Sequence, residues 1–95
     1  MLKVTDHAAK QAASRNIPVG DVVAAAEERM AASHIAAAAA DAAILVGYAE
    51  EGWQGGSNGN VVWAIVRAGE LVTTMFRRAT QPSTPAALRV ATVIA

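Results

Sequence analysis

The segment Thr5-Asp6-His7-Ala8-Ala9-Lys10-Gln11-Ala12-Ala13-Ser14-Arg15-Asn16-Ile17-Pro18 constrains the fold of this chain more than any other. It reads as a short helix over residues 6 to 15 with a marked end. Asn16 stands where the chain must leave the helix, and asparagine tolerates the left-handed conformation that stops helices. A helix this short, with so little apolar bulk, is not stable alone in water. It must lie on something, with its polar face turned outward or into a cleft. Helical spacing puts His7, Lys10, Gln11 and Ser14 on that face.

The surface it needs is supplied further along. Val61-Val62-Trp63-Ala64-Ile65-Val66-Arg67 is a strand, Ala68-Gly69 a tight turn, and Leu71-Val72-Thr73-Thr74-Met75-Phe76-Arg77-Arg78 the returning strand. Ile44-Leu45-Val46-Gly47-Tyr48 has strand character and precedes a Gly, Ser and Asn loop from Gly52 to Asn60. Leu2-Lys3-Val4-Thr5 alternates like a short edge strand. A second helix starts near Val19, with Asp21 in its first turn and an apolar stripe at Val22, Val23, Ala26 and Met30. It runs to at least Ser33, and alanine propensity leaves its far end open between Ser33 and Ala40. Gln81-Pro82-Ser83-Thr84-Pro85 is a polar breaker. Leu88-Arg89-Val90 and Val93-Ile94 fit a strand or a helical turn. The expected architecture is α+β: two N-terminal helices on one face of an antiparallel sheet of about four strands, forming one domain over residues 1–95.

Several function classes are excluded or weakened by composition. The 95 residues contain no cysteine, which rules out disulfides and thiolate metal sites. That absence suits a cytoplasmic protein, and charge directly after Met1-Leu2-Lys3-Val4 does not resemble a signal peptide. The apolar run from Ala31 to Ala49 contains His34 and Asp41 and is broken by Gly47. An Asp near the centre of a span costs roughly 3 kcal/mol, so no membrane crossing is expected. Net charge is zero, which weakens the case for tight electrostatic binding of nucleic acid. The charge is uneven, however: the acids lie mainly in Asp21 to Glu51, and from Leu71 onward there are Arg77, Arg78 and Arg89 with no acid.

Candidate chemistry is sparse. His7 reads either as a surface or packing histidine or as a general acid or base on helix one. His34 has no ligand-spaced partners, so no metal is expected. Arg67 lies beside the hairpin turn, and Arg77 and Arg78 at the opposite end of the hairpin. Arginine recognises phosphate bidentately, although strand-end charge also blunts aggregation. Alternation puts Thr73, Met75 and Arg77 on one face and Thr74, Phe76 and Arg78 on the other. Trp53, in the glycine loop, is either a stacking platform for a base or a lid over the core. Trp63 reads as core. The glycines from Gly52 to Gly59 form no phosphate loop, since no Lys-Ser/Thr follows.

His7, Ala8, Arg15 and Ile17 resemble the H-A-x-x-R-x-x-x-R-G-I-(S/T) opening of small bacterial and phage toxin-like domains related to RelE, ParE and the colicin D-type ribonucleases. Gln11 stands where that pattern has Arg, Asn16 where it has Gly, and Pro18 where it has Ser or Thr. The Val61–Val66, Gly69 and Leu71–Arg78 hairpin looks like the RelE-type strand pair ending in a basic residue. The resemblance implies a toxin-like endoribonuclease that cleaves RNA without metal or other cofactor. His7 would be the acid or base, Arg77 or Arg78 would hold the phosphate, and Thr73 or Thr74 would donate a hydrogen bond. Lys10, Arg15, Arg67 and Trp53 complete the implied RNA contacts. Partners implied are RNA or the ribosome, an antitoxin protein and a second copy of the chain. The alternative is a non-enzymatic binding or self-assembling module, suggested by the alanine-rich second helix and the apolar tail from Val90 to Ile94. A helix-turn-helix reading is disfavoured by Asp21, Glu27 and Glu28 on the second helix.

Overall fold

The computed structural model describes residues 2–36, 38, 40–54, 56, 59–78 and 90–95. The expected breaker at Gln81–Pro85 and the segment Leu88-Arg89 lie outside these residues.

Strand β1 (Lys3–Val4) leads into helix α1 (Asp6–Ser14), and helix α2 (Val19–Ala32) follows. Thr5 caps α1, its hydroxyl accepting the Ala8 N–H at 3.1 Å. Both helices stop in the same way. Asn16 and His34 take left-handed φ of 57° and 58°. Ile17 N donates to Ala12 O and Asn16 N to Ala13 O; Ile35 N donates to Met30 O and His34 N to Ala31 O. These are paired Schellman closures built without glycine, and each returns an apolar residue, Ile17 or Ile35, to the core. The closure at His34 fixes the open end of α2 at its near limit, with Ser33 as the C-cap. Alanine propensity amounts to only a few tenths of a kcal/mol per residue, less than the packing that ends the helix.

The chain then forms β2 (Asp41–Tyr48), β3 (Asn60–Arg67), β4 (Glu70–Arg78) and β5 (Thr92–Ile94). Strand β2 starts three residues before the expected Ile44, because Asp41, Ala42 and Ala43 pair with Arg67, Val66 and Ile65. The sheet order is β1-β4-β3-β2-β5. The β2-β3-β4 meander is antiparallel, while β1 lies parallel to β4 and β5 parallel to β2. The expected sheet of about four antiparallel strands is therefore corrected to five strands of mixed direction. Strands of two and three residues carry no periodicity from which direction can be read. Their pairing is decided by where the chain arrives in space.

Helices α1 and α2 cover one face of the sheet. Ala8, Ala12, Val22, Ala26 and Met30 meet Ala42, Ile44, Ala64, Val66 and Leu71, all buried. The other face buries Ala43, Trp63 and Ile65, with Leu45, Val72, Met75 and Val90 packed around them. Burial on both faces accounts for the unbroken apolar run of β3. Trp63 is core, as its sequence context implies.

Two bulges re-aim the strands. Thr73 pairs with Ile65 and Leu71 with Val66, so Val72 is an extra residue in β4. Leu45 pairs with Trp63 and Gly47 with Val62, so Val46 is extra in β2. The bulge at Val72 turns Phe76 toward the helix-side core while Met75 stays on the far face. Thr74, opposite Ala64, is consequently buried beneath α1.

At the turn end of the hairpin, charges of alternating sign form a row in lateral register. Asp41 pairs with Arg67, Arg67 with Glu70, and Glu70 with Lys3. Opposite charges directly across strands support register, and like charges there oppose it.

A groove between helix one and strand four

Helix α1 offers the sheet only two alanines, Ala8 and Ala12, as buried side chains. Polar ties to β4 compensate for the missing apolar bulk. Thr5 N and Oγ1 both donate to Leu71 O, at 3.1 and 3.3 Å. Gln11 Oε1 accepts the Thr73 hydroxyl at 2.7 Å, the Thr74 N–H at 2.9 Å and the Thr74 hydroxyl at 3.3 Å. Arg15 Nη1 donates to Thr74 O at 3.0 Å. The spacing follows from geometry. Residues 5 to 11 of a helix advance about 9 Å and residues 71 to 74 of a strand about 10 Å. A helix lying along β4 therefore presents Thr5 and Gln11 at Leu71 and Thr74.

These ties cover a gap in the sheet. Strand β1 pairs with β4 only at Glu70 and Leu71. Beyond the bulge, the side chain of Gln11 meets the Thr74 N–H, and the guanidinium of Arg15 meets the Thr74 carbonyl. A carboxamide and a guanidinium thus take the place of a neighbouring strand. Helix α2 makes a corresponding contact on the other side, where Arg29 Nη2 donates to Val46 O at 2.7 Å. Open strand edges invite pairing with other chains, and such contacts blunt them.

Gln11, Arg15, Thr73, Thr74, Phe76 and Arg77 line a groove of about 460 Å³, with Met75 completing its wall. The guanidinium carbon of Arg15 lies 5.6 Å from the centre of the Phe76 ring, a cation–π contact that fixes both groups. Arg77 Nη1 donates to Phe76 O at 2.9 Å, which draws the side chain toward the strand edge. Among the described residues, no carboxylate pairs with Arg15 or Arg77. The groove accordingly carries uncompensated positive charge, although the chain as a whole is neutral.

Of the residues singled out in the sequence, Arg15, Thr73, Thr74 and Arg77 come together here. The Thr74 side chain is buried, with its hydroxyl proton committed to Gln11. His7 and Lys10 are exposed on α1. His7 precedes Gln11 by one turn on the same helical face, which puts their Cβ atoms roughly 6 Å apart. Arg78 is exposed at the end of β4, opposite Asn60. Arg67 lies at the other end of the sheet, in an ion pair with Asp41 at 3.0 Å. Trp53 is half-buried against the helix-side core, so it serves as a lid over that core. Its loop is tied to α1 by Gln54 N donating to Arg15 O at 2.8 Å.

Sequence reasoning had no grounds for the roles of Gln11 and Phe76. The one available signal was a neutral amide on α1 one turn before Arg15, at the position where the resembling pattern has a cation. Among the described residues there is no cluster of metal-ligating side chains and no helix long and apolar enough to cross a membrane. No protein-family model matches this chain, and no curated protein or solved structure does either.

Proposed function

We propose that the chain acts on RNA as a toxin-like, metal-independent endoribonuclease, with the groove between α1 and β4 as the seat of the scissile phosphodiester. The observation that carries this reading is the pair of guanidinium groups, Arg15 and Arg77, in one groove with no carboxylate to neutralise them among the described residues. Paired guanidinium groups hold a phosphate and stabilise the charge that builds on it as it is attacked. His7, one turn from Gln11 on the same face, is the proton-transfer group. The imidazole takes the 2′-hydroxyl proton as O2′ bonds to phosphorus. The P–O5′ bond breaks, and the 5′-oxygen receives a proton in turn, leaving a 2′,3′-cyclic phosphate. Lys10 and Arg78 add exposed positive charge to α1 and to the end of β4, the two elements that form the groove. The same resemblance suggests an antitoxin protein as a partner.

The test is to incubate purified wild-type protein, His7→Ala and Arg77→Ala with single-stranded RNA in the presence of a chelator, and to map the new ends. New 2′,3′-cyclic phosphate ends with wild type only support the reading. RNA left intact by folded wild type overturns it and favours the binding-module alternative. Equal cleavage by His7→Ala removes His7 from the chemistry.

A further inference from the structure

The groove is lopsided in its hydrogen-bonding capacity. Three of its acceptors are already engaged: Gln11 Oε1 by Thr73 and Thr74, Thr74 O by Arg15, and Phe76 O by Arg77. Its donors are not. Arg15 and Arg77 each spend one Nη1 on a carbonyl, and a guanidinium carries five N–H bonds. The Gln11 Nε2 group makes no hydrogen bond among the described residues. A carboxamide is planar, so fixing Oε1 against Thr73 and Thr74 turns Nε2 away from the strand. A ligand held by the Arg15, Arg77 and Gln11 side chains therefore meets donors and brings acceptors to them.

We infer that the Gln11 carboxamide is a third donor of an oxyanion site shared with Arg15 and Arg77. One residue serves two purposes: its oxygen closes the open edge of β4, and its nitrogen faces the anion. No cation is able to replace it, because lysine and arginine have no acceptor for the buried Thr74 N–H. Alanine offers neither group. Glutamate keeps the acceptor and reverses the other half, placing a second anionic oxygen where the ligand oxygen should sit. The identity of the anion as an RNA phosphodiester rests on the function proposed above; the donor role of Gln11 does not.

The experiment uses two probes, inorganic phosphate and a 2′-O-methyl uridine hexanucleotide, which is not cleavable by 2′-hydroxyl attack. Each is titrated into wild type, Gln11→Glu, Arg77→Ala and, as a control that removes an exposed cation outside the groove, Lys3→Ala, and followed by two-dimensional NMR of backbone and side-chain amides. Both probes are expected to shift the Gln11 Nε2 resonances and the Thr74 amide of wild type. Gln11→Glu should stay folded and bind each probe about tenfold more weakly or worse, the loss of one charge-assisted hydrogen bond. Lys3→Ala should bind as wild type does. Unchanged affinity in Gln11→Glu, or Nε2 resonances that stay still while a probe binds, overturns the inference. The wild-type Nε2 shift is informative even if the variant is poorly folded. Phosphate that binds through Gln11 while the oligonucleotide fails to bind keeps the oxyanion site and removes the RNA reading. Wild-type RNA cleavage matched by Gln11→Glu keeps the RNA reading and removes the role of Gln11.

Discussion

Replacing Gln11 with methionine isolates what the carboxamide does for stability. Methionine has nearly the same length and the same helix propensity, so α1 itself is unaffected. The substitution removes an acceptor used by three donors: the Thr73 hydroxyl at 2.7 Å, the Thr74 N–H at 2.9 Å and the Thr74 hydroxyl at 3.3 Å. The losses are unequal. The Thr73 hydroxyl retains a second acceptor in Thr74 O at 3.3 Å. The Thr74 N–H does not, since β1 ends its pairing at Leu71 and the residue is 1% exposed. A buried donor left unsatisfied costs about 1–3 kcal/mol. The added apolar surface of methionine at a half-buried site returns less than about 1 kcal/mol. The net expectation is a loss of about 2 kcal/mol, a sizeable part of the roughly 5–15 kcal/mol that holds a domain together. Urea unfolding followed by tryptophan fluorescence should show a lower midpoint with unchanged slope, and Tm should fall by about 10 °C. Hydrogen exchange at the Thr74 amide should accelerate more than at Leu71, which β1 still covers. Destabilisation below about 0.5 kcal/mol together with undiminished Thr74 protection would refute the argument, since the amide would then have another partner.

Three further outcomes follow from the backbone and the charge row. Ala68 holds a left-handed φ of 49° ahead of Gly69 at 80°, the two-residue turn geometry that favours Asn-Gly. Ala68→Asn should therefore raise stability by about 0.5–1 kcal/mol in urea melts, and no gain would mean the turn is not strained. His34 is exposed with φ 58° at the end of α2, so His34→Gly should stabilise by up to about 1 kcal/mol, read as a rise in Tm; a fall would show that the imidazole makes a contact that matters. Arg67→Asp places like charges across from Asp41 and Glu70 and should cost about 1 kcal/mol, with about half restored by adding Asp41→Arg. Additive effects in that double variant would dissolve the row as an energetic unit.

Local signals in the chain located both helices, the β3–β4 hairpin and its Ala68-Gly69 turn. These depend on short-range physics: a residue that tolerates positive φ at Asn16, period-dependent apolar spacing at Val22, Ala26 and Met30, and β-branched runs on either side of a glycine turn. The candidate site was legible only in pieces. Arg15, Thr73, Thr74 and Arg77 stood out as residues, but nothing in their spacing joined Arg15 of α1 to Thr74 of β4, nearly sixty residues later. The end of α2 stayed open between Ser33 and Ala40 because alanine favours helix weakly everywhere and marks no boundary.

By itself, the order of residues determined an α+β arrangement without disulfides, whose first helix is too short and too poor in apolar bulk to stand alone. Tertiary structure alone decided what that helix leans on. A bulge at Val72, invisible as composition, changed which side of β4 faces α1 and buried Thr74. The parallel docking of β1 covered only the first two residues of that edge. The uncovered amide at Thr74 then required an acceptor, and Gln11 is the residue whose reach along α1 matches the rise of the strand. Hydrogen-bonding demand of this kind is created by pairing between distant segments, so it exists only once the sheet has formed.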